Sequence, residues 1–170
     1  FTAYGQLNQT AQAIEGPLAD AGIATMAQGR SMSRQQMMTQ FKQEGARAVL
    51  LGTRSFWEGV DIPGPALQCV IIAKLPFDVP SDPIFAARSE TFDNAFFEYS
   101  VPEAVLRFRQ GFGRLIRRGT DEGVVAVLDK RVLTKRYGQM FLDSLPPCTV
   151  LRQRTERLGE LTLRWLNRER

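Results

Sequence analysis

Gln110, Gly113, Arg114 and Arg117 stand in a Gln-x-x-Gly-Arg-x-x-Arg pattern whose residue types suit phosphate chemistry. On a helix turning about 100° per residue, Gln110, Arg114 and Arg117 share one narrow sector, with Val105, Phe108, Phe112, Leu115 and Ile116 opposite. A guanidinium stays charged and presents a fork of donors, so an aligned pair fits phosphate oxygens. Gly113 beside the pair admits close approach of another surface. A merely solvated arginine face would carry the same pattern, so the stripe needs a second group before it becomes a site.

A second group is the run from Gly52 to Gly64, Gly-Thr-Arg-Ser-Phe-Trp-Glu-Gly-Val-Asp-Ile-Pro-Gly, directly behind an apolar strand-like segment. Small hydroxyl residues and flexible backbone at the carboxyl end of a strand donate hydrogen bonds to phosphate oxygens. Asp61, in a Gly-x-Asp-x-Pro turn, is placed to accept from a sugar hydroxyl. An ordinary turn, with Asp61 capping backbone and Trp57 packed over the core, accounts for the same residues.

These groups must be positioned by elements that alternate along the chain. Helical spacing of Leu7, Ala11, Ile14 and Leu18 predicts a helix over 7–21 with Gly22 as its stop, followed by a strand over 23–27. Ser33 is the expected N-cap of a helix to residue 42, and 48–51 is an apolar strand. The run 67–73, apolar on both faces, is the expected central strand. Helices over 84–95 and 101–117, a buried strand over 124–128, a helix over 133–145, a short strand at 149–151 and a last amphipathic helix striped by Leu158, Leu161, Trp165 and Leu166 complete the order. Strands spaced by helices imply right-handed crossovers, hence an α/β domain with a doubly wound, mainly parallel sheet and helices on both faces. Ligands bind such sheets beyond the strands' carboxyl ends, where Gly5, Gln28, Thr53, Asp61 and the loop after Leu75 would sit.

The 170 residues fit one domain that buries a core without disulfides. A formal charge of +4 is compatible with an anionic partner and equally with simple solubility. With no histidine, serine-histidine triads and histidine metal sites are excluded. Cys69 and Cys148 lie in apolar stretches and are expected to be buried thiols in a reducing compartment. No apolar run approaches the ~20 residues that span a bilayer, so no membrane role and a cytoplasmic location are expected. The opening Phe1-Thr2-Ala3-Tyr4, without Met or leader, reads as the start of an excised domain.

Gly52 to Gly64 resembles motif V, and Gln110 to Arg117 motif VI, of the second helicase superfamily in its DinG and XPD-like forms. The intervening Lys74-Leu75-Pro76-Phe77-Asp78-Val79-Pro80-Ser81-Asp82-Pro83 is similar to a Leu-Pro-Phe segment of DinG-type proteins, and Phe1 to Tyr4 is similar to the motif IV strand. The resemblance implies the second RecA-like motor domain of an ATP-dependent DNA helicase. In that family Arg114 and Arg117 would reach across a cleft to ATP held by the first motor domain, Arg117 being the arginine finger. Gln110 and Gly113 would position their helix at the cleft, and Glu58, Gly59 and Asp61 would couple the nucleotide to the nucleic acid. Thr2, Tyr4, Gln28, Thr53 and Arg54 would meet the sugar-phosphate backbone of single-stranded DNA, with Phe77 and Trp57 as aromatic candidates for base stacking.

The chain lacks a Gly-x-x-x-x-Gly-Lys-Ser/Thr phosphate loop, and no Asp-Glu-x-His or Asp-Glu-Ala-His magnesium motif follows a strand. ATP and magnesium are therefore expected on the first motor domain of the same polypeptide, and this chain alone is expected to be inactive. An iron-sulfur cluster, where the parent protein has one, would also sit in that first domain. The competing reading is a non-catalytic RecA-like module that binds nucleic acid or a partner.

Overall fold

A computed structural model describes residues 4–44, 47–53, 56, 62, 66–79, 81–116 and 121–168. Leu7 and Ala11, one helical turn apart and fully buried, set the inner face of α1 (Tyr4–Asp20), which packs on β1 (Ala24–Ala27). The chain turns at Gly22, as the helical period predicts. Ser33 caps α2 (Arg34–Glu44) in a reciprocal box: its Oγ accepts the Gln36 N–H, and the Gln36 Oε1 accepts the Ser33 N–H. Met37 and Phe41 point from α2 into a core with Met26, Phe56 and Ile62.

β1 pairs in parallel with β2 (Ala48–Leu51), Ala24 opposite Ala48 and Ala27 opposite Leu51. A second parallel pair joins β3 (Cys69–Ile72) to β4 (Val124–Val127), Cys69 opposite Val124 and Ile72 opposite Val127. The α/β alternation is as expected, but the described strands form two two-stranded sheets instead of one doubly wound sheet. Leu67, just ahead of β3, packs against the cores of both pairs.

The expected central strand is four residues long and alternates: Val70 and Ile72 point inward, while Ile71 is 53% exposed. Its apolar run reads as buried on both faces, yet the described residues leave one face uncovered. Tyr4 opens a helix instead of closing a strand, and 149–151 is exposed and pairs with no described strand.

Three helices differ in extent from their periodicity. Over 84–95 the helix is only α3 (Pro83–Ser89), with Asp82 capping it through the Ile84 and Phe85 N–H groups. The Ser89 and Thr91 hydroxyls then bond the Phe85 and Arg88 carbonyls, a local alternative that favours a turn. A π-helical turn, Phe96–Ser100, leads into α4 (Val101–Phe112). α4 stops five residues short of Arg117, because Gly111 and Gly113 weaken its last turn and i→i+3 bonds from Arg114 and Leu115 tighten the exit. The segment 133–145 divides into α5 (Arg131–Thr134) and α6 (Gly138–Asp143). α7 (Leu158–Leu166) lies against β4.

Candidate functional site

α4 divides into the two faces its sequence predicts. Val101, Ala104, Phe108, Gly111 and Phe112 are buried, and Phe108 meets Phe141 edge to face at 5.4 Å. On the other face Glu103, Arg107 and Gln110 continue into Arg114, and with Leu106 they line an open groove of about 430 Å³. Arg114 lies beyond the helix end, yet the near-helical turn keeps it in the sector of Gln110. Leu115 holds that turn by packing on Gly123. A Cβ at 123 would stand 2.6 Å from Leu115 Cδ1 and 2.8 Å from the Gln68 carbonyl oxygen, so only glycine fits. Gly113 has an ordinary right-handed conformation with room for a Cβ, so neither geometry nor space demands glycine there.

Within this stripe Arg107 has a different task from Arg114. Its guanidinium bonds Asp78 at 2.6 Å and Glu103 at 3.0 Å, with its side chain 17% and that of Asp78 10% exposed. It thereby ties α4 to the Leu75-Pro76-Phe77-Asp78 loop. The loop is fastened again by Asp129, beyond β4, whose Oδ2 accepts the Leu75 N–H at 2.9 Å. Arg131 grips the same carboxylate at 2.6 Å and lays its guanidinium 5.3 Å from the centre of the Phe77 ring. Burial pushes the Asp129 carboxyl up, but the Arg131 hydrogen bond, the Leu75 and Arg131 N–H groups and the Arg131 charge together bring it below its ordinary value. Arg131 is raised in return, first by its bond to Asp129.

Phe77 stacks on Phe96 at 5.9 Å and meets Tyr137 edge-on at 5.5 Å and Phe141 at 5.9 Å. Its ring is part of the packing around α4 and α6, and the candidate for base stacking is engaged with protein.

At the other strand pair, two candidates for the nucleic-acid backbone come together. Gln28 follows β1, Thr53 follows β2, and the Gln28 Oε1 accepts both the Thr53 N–H at 2.8 Å and its hydroxyl at 2.9 Å. Thr53 is buried and Gln28 half-buried, so Gln28 is the more accessible of the two. Gly52 lets the Phe56 side chain close over the strand end, since a Cβ at 52 would stand 2.9 Å from that of Phe56. Arg34 completes the corner, donating to the Phe56 carbonyl at 2.8 Å and lying 5.3 Å from its ring centre.

Thr2, Arg54, Trp57, Glu58, Gly59, Asp61 and Arg117 lie outside the described residues, and Tyr4 is placed by its backbone alone. Sequence reasoning passed over Asp78, Arg107, Asp129 and Arg131, because no period or motif links residues so far apart in the chain. The signal available was an aspartate two residues after β4, followed by Lys130 and Arg131. Both cysteines are free; Cys69 is half-buried, and burial pushes its thiol up. Cys148 is exposed, contrary to expectation, because it follows Pro146 and Pro147 in a surface segment without regular structure. Among the described residues no three His, Cys, Asp or Glu side chains converge as metal ligands, and no helix is long and apolar enough to cross a membrane.

Residues 1–148 match the family described as Helicase C-terminal domain. The chain belongs to that family. Among similar proteins, an ATP-dependent DNA helicase DinG of Photobacterium profundum is 40% identical over 86% of this chain and 22% of its own length. An ATP-dependent DNA helicase YoaA of Escherichia coli is 44% identical over 81% of the chain and 23% of its own. A 3'-5' exonuclease DinG of Bacillus subtilis is 43% identical over 88% of the chain and 16% of its own. The chain thus spans under a quarter of the length of these curated relatives. In this helicase C-terminal domain Gln110 and Arg114 line one groove, and Thr53 stands at a strand end.

Proposed function

We propose that this chain is the second RecA-like motor domain of a DinG-type ATP-dependent DNA helicase, its two strand pairs being parts of one doubly wound sheet. The observation that carries this reading is the groove on which Gln110 and Arg114 share a lining, behind a turn fixed by Leu115 and Gly123. Amide donors and a guanidinium at an open groove fit a phosphate chain. ATP and magnesium then belong to the first motor domain of the same polypeptide, and so does an iron-sulfur cluster where one is present.

Bound ATP supplies the transferable phosphoryl group. Arg114 would orient toward the triphosphate, and Arg117, three residues on, would neutralise charge developing in the transition state, a contribution of ~10³ to 10⁵ in turnover. Gln110 and Gly113 shape the cleft wall, with Glu58, Gly59 and Asp61 linking it to the strand ends. Thr2, Tyr4, Gln28, Thr53 and Arg54 would hold the backbone of single-stranded DNA without reading bases. Gln28 is best placed among them, because its bonds to Thr53 fix its carbonyl end. A cytoplasmic site of action follows from this reading.

Joined to a P-loop half, the chain is expected to support DNA-stimulated ATP hydrolysis, and alone to show none. Arg117→Ala is expected to abolish turnover while leaving ATP binding near that of the parent. Full turnover in that variant overturns the finger assignment.

A further inference from the structure

Apart from the five arginines between 107 and 118, a second basic stretch lies at the end of the chain. Residues 149–170 hold six arginines, no lysine and three glutamates, a formal +3 of the chain's total +4. The match to the helicase C-terminal family stops at 148, so this end lies outside what the family defines. Every residue from 146 to 157 is exposed, and Arg154 has extended backbone at φ −70°, ψ 149°. Arg152 and Arg154, two positions apart on that backbone, form no ion pair among the described residues. Arg157 meets Glu160 only at 3.7 Å with both side chains more than half exposed.

The segment is anchored at its far side. The apolar stripe of α7, Leu158, Leu161, Trp165 and Leu166, is half-buried, with the helix against β4. Arg168 stacks 3.5 Å from the centre of the Trp165 ring and pairs with Glu122, two residues before β4, at 3.1 Å. An apolar face turned toward the domain is not presented for insertion into a lipid surface, the usual partner of basic amphipathic helices. Outward stand the guanidiniums of Arg152, Arg154 and, in the short turn Thr155–Arg157, Arg157, beside the exposed Val150, Leu151 and Leu163; three unpaired or loosely paired guanidiniums on a fixed base suit a flexible polyanion.

We propose that Arg152, Arg154 and Arg157 form a phosphate-backbone site for single-stranded nucleic acid, additional to the motif V strand end. The site extends the DNA-binding role proposed above, and its contribution is electrostatic and independent of base sequence.

The test is binding of the 170-residue chain to a fluorescent oligo-dT across a salt series. Replacing the three arginines by glutamine is expected to weaken binding at low salt. It should also flatten the slope of log affinity against log salt by about 2, the share of three phosphate contacts on a single strand. Replacing them by lysine instead should restore the slope, which loss of folding would not allow. An unchanged slope in the glutamine variant, no binding by the parent chain, or tighter binding to phosphatidylserine vesicles than to oligo-dT each overturns the proposal. ATP turnover that depends on Arg117 would stand through any of those results, so failure here is separable from failure of the motor assignment.

Discussion

At the carboxyl end of each parallel strand pair a side-chain oxygen accepts the N–H of the loop behind the neighbouring strand, but the two pairs use different chemistry. Behind β1 and β2 the acceptor is the neutral amide of Gln28, holding Thr53. Behind β3 and β4 it is the carboxylate of Asp129, holding Leu75 and gripped by Arg131 under the ring of Phe77. A neutral amide can exchange partners at small cost, whereas a buried carboxylate deprived of its partners leaves donors and charge uncompensated. The first end is therefore suited to meet a ligand, and the second to hold the loop that Arg107 ties to α4.

The sharpest way to break this comparison is Asp129→Ala, which leaves the Leu75 N–H and the Arg131 guanidinium without their acceptor. A loss of about 3 kcal/mol in urea unfolding is expected. Acid should do the same gradually. The folded pKa of Asp129 lies below its ordinary value, so its stabilisation is complete above the unfolded carboxylate range and is lost as pH falls through the folded value. Asp129→Asn should flatten that acid limb, and an unchanged limb would refute the assigned role. Gln28→Ala should cost only about 1 kcal/mol while weakening single-stranded DNA binding. A loss equal to that of Asp129→Ala would erase the distinction between the ends. The smallest effect is expected from Phe77→Leu, about 1 kcal/mol or less in stability with DNA affinity unchanged. A drop in affinity would return Phe77 to the stacking role that its motif first indicated.

Local patterns were readable and distant pairings were not. Ser33 announced its helix because a hydroxyl three residues before Gln36 builds a reciprocal cap, and Leu7 with Ala11 announced the inner face of α1. The polar and apolar sectors of the motif VI segment were legible too, since both follow from 3.6 residues per turn. Its end was misplaced, because periodicity continues through Gly111 and Gly113 although the helix does not. The apolar run at β3 gave no sign that Ile71 faces outward, a matter decided by what else covers the sheet. Asp78 with Arg107, and Asp129 with Leu75, lie 29 and 54 residues apart, and only the folded chain joins them.

Leu67 belongs to neither end of this comparison and touches the cores of both. A side chain shared in this way makes the free energies of two packing units interdependent, since opening either one strips contacts from the other. The consequence is cooperativity: the β1–β2 pair cannot loosen far without drawing on the rigidity of the β3–β4 pair. Heat should accordingly melt the two as a single unit.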